Sequence, residues 1–295
     1  MTFWVSGDPL ALIGLPLALV LLALSPRRPA QLLLAALAAV LALAGTPRDA
    51  IWQFDRGWAL LLGAWFVVAL LALKRASFTA RALLATAATA ATAAIFLLVR
   101  PGSYAGLEQA ITTQLRAAVA QQITLWNAAG AKLPPTFAEG MYRVVQTRAF
   151  LAPALAGLAS MAGLALAWGL YRRMVARDER ALPPLRQFRF RDELVWLLVA
   201  GALLVLVPGL GPGAVRVGAN LLTFMGALYA LRGVAVVMSM SSGAFGVGGL
   251  LLVLFAALAD SWIPALVMAV AVLVGLTDTW LDLRARLAAP PSPGK

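Results

Sequence analysis

The sequence predicts an all-α, polytopic membrane protein, a bundle of about nine transmembrane helices. Of its 295 residues, 62% are hydrophobic and 12% are charged, and the mean hydropathy is +0.88. A soluble domain is nearer half apolar and a quarter charged, so a soluble fold of this composition would leave much apolar surface in water. Apolar segments also recur along the whole chain, and each is followed by a charge, a glycine or a proline.

Each transmembrane span is identified by a run of mostly apolar residues, since about 20 of them cross the hydrocarbon core. The first two runs have about 15 residues and reach only about 22 Å. Residues 10–44 therefore form either two short spans or one re-entrant hairpin, which would leave seven spans. The predicted spans are 10–24, 30–44, 58–73, 82–99, 150–171, 194–208, 217–238, 247–259 and 263–281.

One long segment separates the spans into two groups. Within it, apolar side chains recur every three or four residues, from Leu107 to Trp126, which predicts an amphipathic helix of about 25 residues. This helix either lies on the outer leaflet and caps the bundle, or acts as a lid over an outward-facing cavity. The predicted regions are N-terminal transmembrane helices at 1–99, the external amphipathic segment at 100–149, a C-terminal bundle at 150–285 and a disordered tail at 286–295.

The distribution of basic residues predicts the orientation of the chain. Alternate loops divide the 24 Lys and Arg residues into sets of 16 and 8. Cytoplasmic loops carry the excess of Lys and Arg, so we expect the N-terminus outside and the C-terminus in the cytoplasm. The net charge of +12 suits anionic lipids on the cytoplasmic side, and we expect no nucleic acid partner.

The chain contains neither cysteine nor histidine, which narrows the chemistry open to it. Disulfides, thiolate nucleophiles, Cys/His zinc sites and histidine acid–base catalysis are excluded. No acidic residue stands in the middle of a predicted span, and no serine has an evident base. We therefore expect no enzyme activity, no metal site and no cofactor.

Polar residues in and after the span 217–238 are candidates for ligand binding, because polar groups inside a bilayer are costly. An asparagine there either contacts a ligand or hydrogen-bonds a neighbouring helix. A glycine-rich stretch follows the span, and irregular backbone at membrane depth is tolerated where it lines a cavity. The candidate residues are Asn220, Thr223, Tyr229, Ser239, Ser242 and Gly246.

Two ion pairs are predicted from depth alone. Arg216 and Asp260 are expected together at the outer surface, and Arg232 and Asp278 near the inner end of their spans. Each arginine could instead extend to its own membrane interface without a partner.

A cytoplasmic loop at 172–193 alternates charged and aromatic residues. Its candidate residues are Arg186, Phe188, Arg189, Phe190 and Arg191. They either anchor the loop to lipid, with rings at the acyl boundary and guanidinium groups on phosphates, or dock a cytoplasmic protein. RNA binding is weakly supported, because two aromatic residues without a folded platform do not make a stacking surface.

Motifs in the C-terminal half carry a family resemblance. They are Leu-Pro-Pro-Leu at 182–185, Phe-Arg-Phe at 188–190, Trp196, Asn220-Leu221 and Leu-Tyr-Ala-Leu-Arg-Gly at 228–233. The sequence resembles the YybS-like family of bacterial integral membrane proteins, a domain of unknown function. That family is similar in layout to the substrate-binding subunits (S-components) of energy-coupling-factor vitamin transporters.

This resemblance implies a bacterial inner-membrane protein that binds a small molecule from outside and is driven by a separate membrane subunit and ATPases. The nine predicted spans exceed the usual six of those subunits. Two functions remain as alternatives. One is a small-solute-binding transport component, and the other is a non-transporting scaffold or assembly partner that docks a cytoplasmic protein through residues 182–193.

Overall fold

The protein is helical throughout the residues described by the computed structural model, which are 8–24, 29–44, 50–100, 102–130, 134–175, 182–240 and 263–284. Within those ranges there are ten α-helices and no strand, so the prediction of an all-α membrane bundle is confirmed. The helices are α1 (Pro9–Leu24), α2 (Pro29–Leu43), α3 (Ala50–Ala72), α4 (Phe78–Val99), α5 (Ser103–Ala128), α6 (Pro135–Phe150), α7 (Ala152–Met174), α8 (Val195–Leu206), α9 (Gly211–Met240) and α10 (Ile263–Leu281).

Eight of the nine predicted spans coincide with helices. Four of these, α3, α4, α7 and α9, are long and apolar enough to cross a membrane by length and composition. The helices α1, α2 and α10 are apolar but shorter. The predicted span at 247–259 lies outside the described residues. Residues 10–44 form two helices that pack against each other, with Gly14 of α1 close to the Ala38 carbonyl oxygen of α2.

The chain divides into two compact units, residues 1–182 and residues 183–295. The sequence grouped α7 with the C-terminal helices, but in the structure α7 packs against α1 and α4 of the first unit.

The first unit is organised around α1, which contacts α2, α3 and α7. Small residues allow this close packing. A side chain at Gly63 of α3 would meet the backbone of Pro16, and one at Gly163 of α7 would meet the Leu12 carbonyl oxygen at 2.8 Å. The Trp58 indole also donates a hydrogen bond of 2.8 Å to the Ser160 hydroxyl, which links α3 to α7.

The predicted amphipathic helix is α5, and its apolar face packs against α6. Leu115 and Val119 are buried against Val145 and Ala149, and these four residues form a small core of their own. Near the end of α5 and the start of α6, the centroids of the Trp126 and Phe137 rings lie 5.4 Å apart. The apolar stripe is thus buried within a helical hairpin, where the sequence suggested a helix lying on lipid or covering a cavity.

In the second unit, α9 is in close contact with both of its neighbours. Gly218 of α9 lies against Gly201 of α8, and Gly233 of α9 lies against Gly275 of α10. Because glycine has no side chain, the helix backbones can touch at both points. The helices α8 and α9 differ greatly in length, since α8 has 12 residues (about 18 Å) and α9 has 30 (about 45 Å).

Candidate functional site

A completely buried arginine lies where α9 meets α10 in the second unit. The Arg232 side chain is 0% exposed, and its Nε donates to Asp278 Oδ2 at 2.9 Å. Its Nη1 donates to Asp192 Oδ1 at 2.6 Å. Asp278 is also 0% exposed, whereas Asp192 is about half exposed and begins a short 3-10 turn before α8. The arginine thus joins three separate segments of the chain.

A second arginine extends this network to the cytoplasmic loop predicted from the sequence. Arg284, just after α10, donates from Nη2 to Asp278 Oδ2 at 2.8 Å. Its Nη1 donates to the backbone carbonyl oxygens of Phe188 at 3.1 Å and Arg186 at 3.3 Å. We call Arg232, Asp278, Asp192 and Arg284 the Arg232 cluster.

The charges of the Arg232 cluster balance, with two guanidinium groups and two carboxylates. Removing an ion from water costs several kcal/mol, and only close pairing and hydrogen bonding offset this cost. Here every charged side chain has a partner within 3 Å. The cluster is therefore compatible with an apolar surrounding, and loss of any member would leave one charge of the cluster uncompensated.

Two aromatic rings cover the cluster. Phe190 is only 7% exposed, and its ring packs edge-on against Tyr229 with the centroids 5.1 Å apart. The Arg232 guanidinium carbon lies 5.5 Å from the centre of the Phe190 ring, within range of a cation–π interaction. The loop is thus fixed by apolar packing as well as by charge.

Besides Arg284 Nε, three buried polar atoms of this site form no hydrogen bond with the described part of the chain. They are Arg232 Nη2, Asp278 Oδ1 and the Tyr229 hydroxyl oxygen. The hydroxyl faces Thr279 without forming a hydrogen bond of good geometry. Since buried polar groups are nearly always hydrogen-bonded, these atoms offer two donors and an acceptor to water or to a small polar molecule.

The glycine contact between α9 and α10 places these residues together. A side chain at Gly233 would collide with the Ala271 carbonyl oxygen, and one at Gly275 with the Tyr229 carbonyl oxygen. Arg232 immediately precedes Gly233, and Asp278 follows Gly275 by nearly one helical turn. The close approach of the helices therefore brings the two charges within direct hydrogen-bonding distance.

Of the two predicted ion pairs, the structure brings together Arg232 and Asp278. Arg216 is partly buried near the start of α9, but Asp260 lies outside the described residues. The Arg216–Asp260 pair therefore stays a prediction.

The predicted ligand-binding residues do not share one face of α9. Asn220 and Thr223 are half-buried, and the Asn220 amide donates to the Arg216 carbonyl oxygen at 2.9 Å. Tyr229 lies nine residues beyond Asn220, about 180° around the helix, on the side of Arg232.

The remaining predicted ligand-binding residues follow Tyr229. Ser239 donates to the Val236 carbonyl oxygen of its own helix at 2.7 Å. Ser242 and Gly246 lie outside the described residues.

The predicted docking residues divide into an exposed set and a buried one. Arg186, Arg189 and Arg191 are exposed, Phe188 is partly buried and Phe190 is buried. Arg189 forms a long ion pair of 3.4 Å with Asp282.

Arg191 forms an exposed ion pair with Glu193 at 3.2 Å. Its hydrogen bond holds the pKa of the Glu193 carboxyl below its usual range.

Sequence reasoning missed Asp192 and Arg284 as members of the Arg232 cluster. In the sequence, Asp192 stands at the start of the helix after the loop, and Arg284 is one of the basic residues that follow the last predicted span. Both are hydrophilic residues at span ends, where the sequence pattern alone cannot distinguish a paired charge from a solvated one.

The first unit contains a comparable arginine that sequence reasoning also missed. Arg56 is buried on α3, and its Nη2 donates to Asp8 Oδ2 at 3.0 Å and to the Ala44 carbonyl oxygen at 3.3 Å. Its guanidinium carbon lies 4.1 Å from the centre of the Trp52 ring. The sequence does contain one indication that Arg56 is packed: Trp52 stands four residues earlier, on the same face of α3.

Comparison with known proteins identifies the family of the chain. The family described as "Predicted membrane protein (DUF2232)" matches residues 9–279. The chain belongs to that family. No curated protein and no solved structure matches it. The DUF2232 match includes all ten described helices except the last residues of α10, so it extends over both units.

Proposed function

We propose that this DUF2232 protein is the solute-binding component of a membrane transport complex, a YybS-like protein similar to S-components. The observation that carries the proposal is the Arg232 cluster, a set of charged side chains buried inside an apolar helical unit. Ionisable residues inside transmembrane segments commonly mark the path or the site of a substrate. We assign the site to Arg232, Asp278 and Tyr229.

The unused hydrogen-bonding capacity of these three side chains defines the chemistry of the solute. Arg232 Nη2 can donate, Asp278 Oδ1 can accept, and the Tyr229 hydroxyl can do both. A small polar molecule that carries both donors and acceptors matches this set. In surroundings of low dielectric each such hydrogen bond is stronger than in water, which favours selective binding over simple adsorption.

Native mass spectrometry of the protein, released gently from its own membrane, tests the proposal. We expect a small molecule to be retained by the wild type and lost in Tyr229→Phe, which removes only the hydroxyl. Tyr171→Phe is the matched control, since Tyr171 is also a buried tyrosine but lies on α7 of the first unit. Equal retention by the two variants, or no small molecule in any sample, would contradict the proposal.

A scaffold is the second candidate function, favoured by the contacts of Arg284. These contacts hold the backbone of the loop at Arg186 and Phe188, so the loop is presented in a fixed shape. Such a loop could dock a cytoplasmic protein with an acidic surface. In the same experiment, a retained protein with no small molecule, lost when Arg186 and Arg189 are neutralised, would favour the scaffold.

We also propose that the protein resides in the bacterial inner membrane with its N-terminus outside and its C-terminus in the cytoplasm. The basic residues support this orientation, since 16 of the 24 fall on one set of alternate loops. The Arg232 cluster and the 182–193 loop then lie at the cytoplasmic face.

A further inference from the structure

The loop before α8 presents unpaired or weakly paired guanidinium groups, and the helix that follows it begins with an exposed aromatic side chain. Arg186 and Arg189 are exposed, and in the described part of the chain the only ion pair of either is the long one from Arg189 to Asp282. Trp196, in the first turn of α8, is 69% exposed. We call Arg186, Arg189 and Trp196 the arginine surface.

The backbone beneath the arginine surface is fixed by hydrogen bonds and ring packing. The carbonyl oxygens of Arg186 and Phe188 accept from Arg284, and the Phe190 ring packs against Tyr229. A surface whose backbone is already ordered loses little conformational entropy when it binds a partner. It can therefore form a discrete site, whereas a flexible basic segment gives only diffuse attraction.

We propose that the arginine surface binds the headgroup of an anionic phospholipid. Guanidinium groups form bidentate hydrogen bonds with phosphate oxygens, and tryptophan is enriched at the membrane–water interface, where its ring sits at headgroup level. Arg186 and Arg189 contact the phosphate, and Trp196 packs along the upper part of the acyl chains. This binding is independent of the proposed solute site.

The place of Trp196 in the first turn of α8, a predicted span, favours a lipid over an acidic protein. Leu197, Leu203 and Leu206 are also exposed on this helix and meet membrane lipid whatever binds the loop. The first turn of a span lies at the depth of the lipid headgroups, so phospholipid phosphates are the anions nearest to the loop that precedes it.

Lipid selectivity in nanodiscs of equimolar phosphatidylglycerol and phosphatidylcholine tests this proposal. The full-length protein is transferred from the discs to mild detergent, and the lipids that it retains are counted by native mass spectrometry. The test variant is R186Q/R189Q. The matched control is R116Q/R143Q, which removes two exposed arginines from the α5–α6 hairpin. Thermal unfolding of each variant verifies that it remains folded.

We expect the wild type and the control to retain phosphatidylglycerol in preference to phosphatidylcholine. The retained ratio should fall about 5- to 30-fold in R186Q/R189Q, since each basic residue near an anionic surface contributes about fivefold. An unchanged ratio in the test variant would overturn the proposal. An unchanged ratio with loss of a co-purified acidic protein would overturn it in favour of protein docking.

Discussion

Arg232 and Arg56 have the same structural role in different units. Each is buried, pairs with a carboxylate from a distant part of the chain and lies against an aromatic ring. Each also reaches a third segment, Asp192 for one and the Ala44 carbonyl oxygen for the other. A planar guanidinium with five N–H donors can join three segments at once, which the point charge of lysine cannot do as well.

Asp278→Asn is expected to destabilise the protein strongly. The substitution leaves the buried Arg232 and the partly buried Arg284 with one carboxylate fewer, and breaking a buried ion pair costs about 3–5 kcal/mol. Thermal unfolding in detergent measures the effect.

Asp282→Asn is the control for this prediction, since it removes the half-exposed pair with Arg189. Asp282 has a φ of 41°, a left-handed conformation that asparagine tolerates well. We expect a change of only about 0–1 kcal/mol, because exposed ion pairs contribute little. Equal losses of stability in Asp278→Asn and Asp282→Asn would contradict the expectation that Arg232 needs Asp278 as its buried partner.

The positions of Arg232 and Asp278 along their spans were enough to predict that the two residues lie together. The same positions did not predict which other residues join the cluster. Asp192 and Arg284 enter the cluster because the loop folds back against α9, and that return depends on Phe190 packing on Tyr229. An alternating Arg-Phe-Arg pattern gives no sign of which ring turns inward, so Phe190 was grouped with the surface residues.

At the scale of helices, contacts between glycines decide which elements of the second unit touch. The helix α9 contains Gly218, Gly226 and Gly233, and among the described helices only the first and last of these glycines meet a neighbour. The sequence alone does not distinguish the glycines at a contact from the one that is not. Which glycines lie at a contact is set by the rotation of α9 against its neighbours, and apolar residues occur on every side of α9, so its sequence does not encode that rotation.

Gly233→Ala and Gly226→Ala should therefore have opposite effects. A methyl group at Gly233 would collide with backbone atoms of α10, which cannot move aside as a flexible side chain can. We expect a loss of about 1–3 kcal/mol or more. At Gly226 nothing in the described part of the chain lies within 4 Å of the added methyl group, and alanine should be neutral or stabilising by up to about 1 kcal/mol. Thermal unfolding of both variants checks this, and similar losses at both sites would contradict the glycine contact.

The α5–α6 hairpin is expected to open independently of the helices around α1, because it has its own small core. Leu115→Ala removes a central member of that core at a cost of about 2 kcal/mol. Hydrogen exchange across residues 103–150 should then accelerate about 30-fold, with little change in α1 or α3.

Gln114→Ala, at the exposed neighbouring position, is the control for the hairpin and should leave exchange unchanged. Acceleration that spread equally to α1 would show that the hairpin and the rest of the first unit unfold together. Periodicity predicted that α5 is amphipathic, but it could not tell whether the apolar face meets lipid, a cavity or another helix.

At the scale of the whole molecule, the absence of cysteine makes orientation directly measurable. Single cysteines at the exposed positions Gln121 and Gln187 would be the only thiols in the protein. We expect an impermeant maleimide to label Gln121→Cys in intact cells and Gln187→Cys only after permeabilisation. The reverse pattern would invert the proposed topology, and labelling of both in intact cells would contradict the odd number of spans, α7 alone, proposed between them.

Composition and apolar periodicity were sufficient to predict an all-helical membrane protein and nine of its described helices, which are the eight that coincide with predicted spans and the amphipathic α5. They did not predict the division into units at residues 182 and 183, or that α7 packs with α1. Those features depend on which small residues meet, such as Gly163 against the Leu12 carbonyl oxygen. In a chain so rich in alanine and glycine, many such contacts are equally plausible from sequence.

The unequal lengths of α8 and α9 have a consequence for the surrounding membrane. A helix of about 18 Å and one of about 45 Å lie in contact, while the hydrocarbon core is about 30 Å thick. The short α8 and the long α9 mismatch the membrane in opposite senses. The bilayer must therefore thin beside α8, and α9 must tilt or protrude. The stability of the α8–α9 contact should therefore vary with the acyl-chain length of the surrounding lipids. The thickness of the membrane would in this way influence the packing of the second unit.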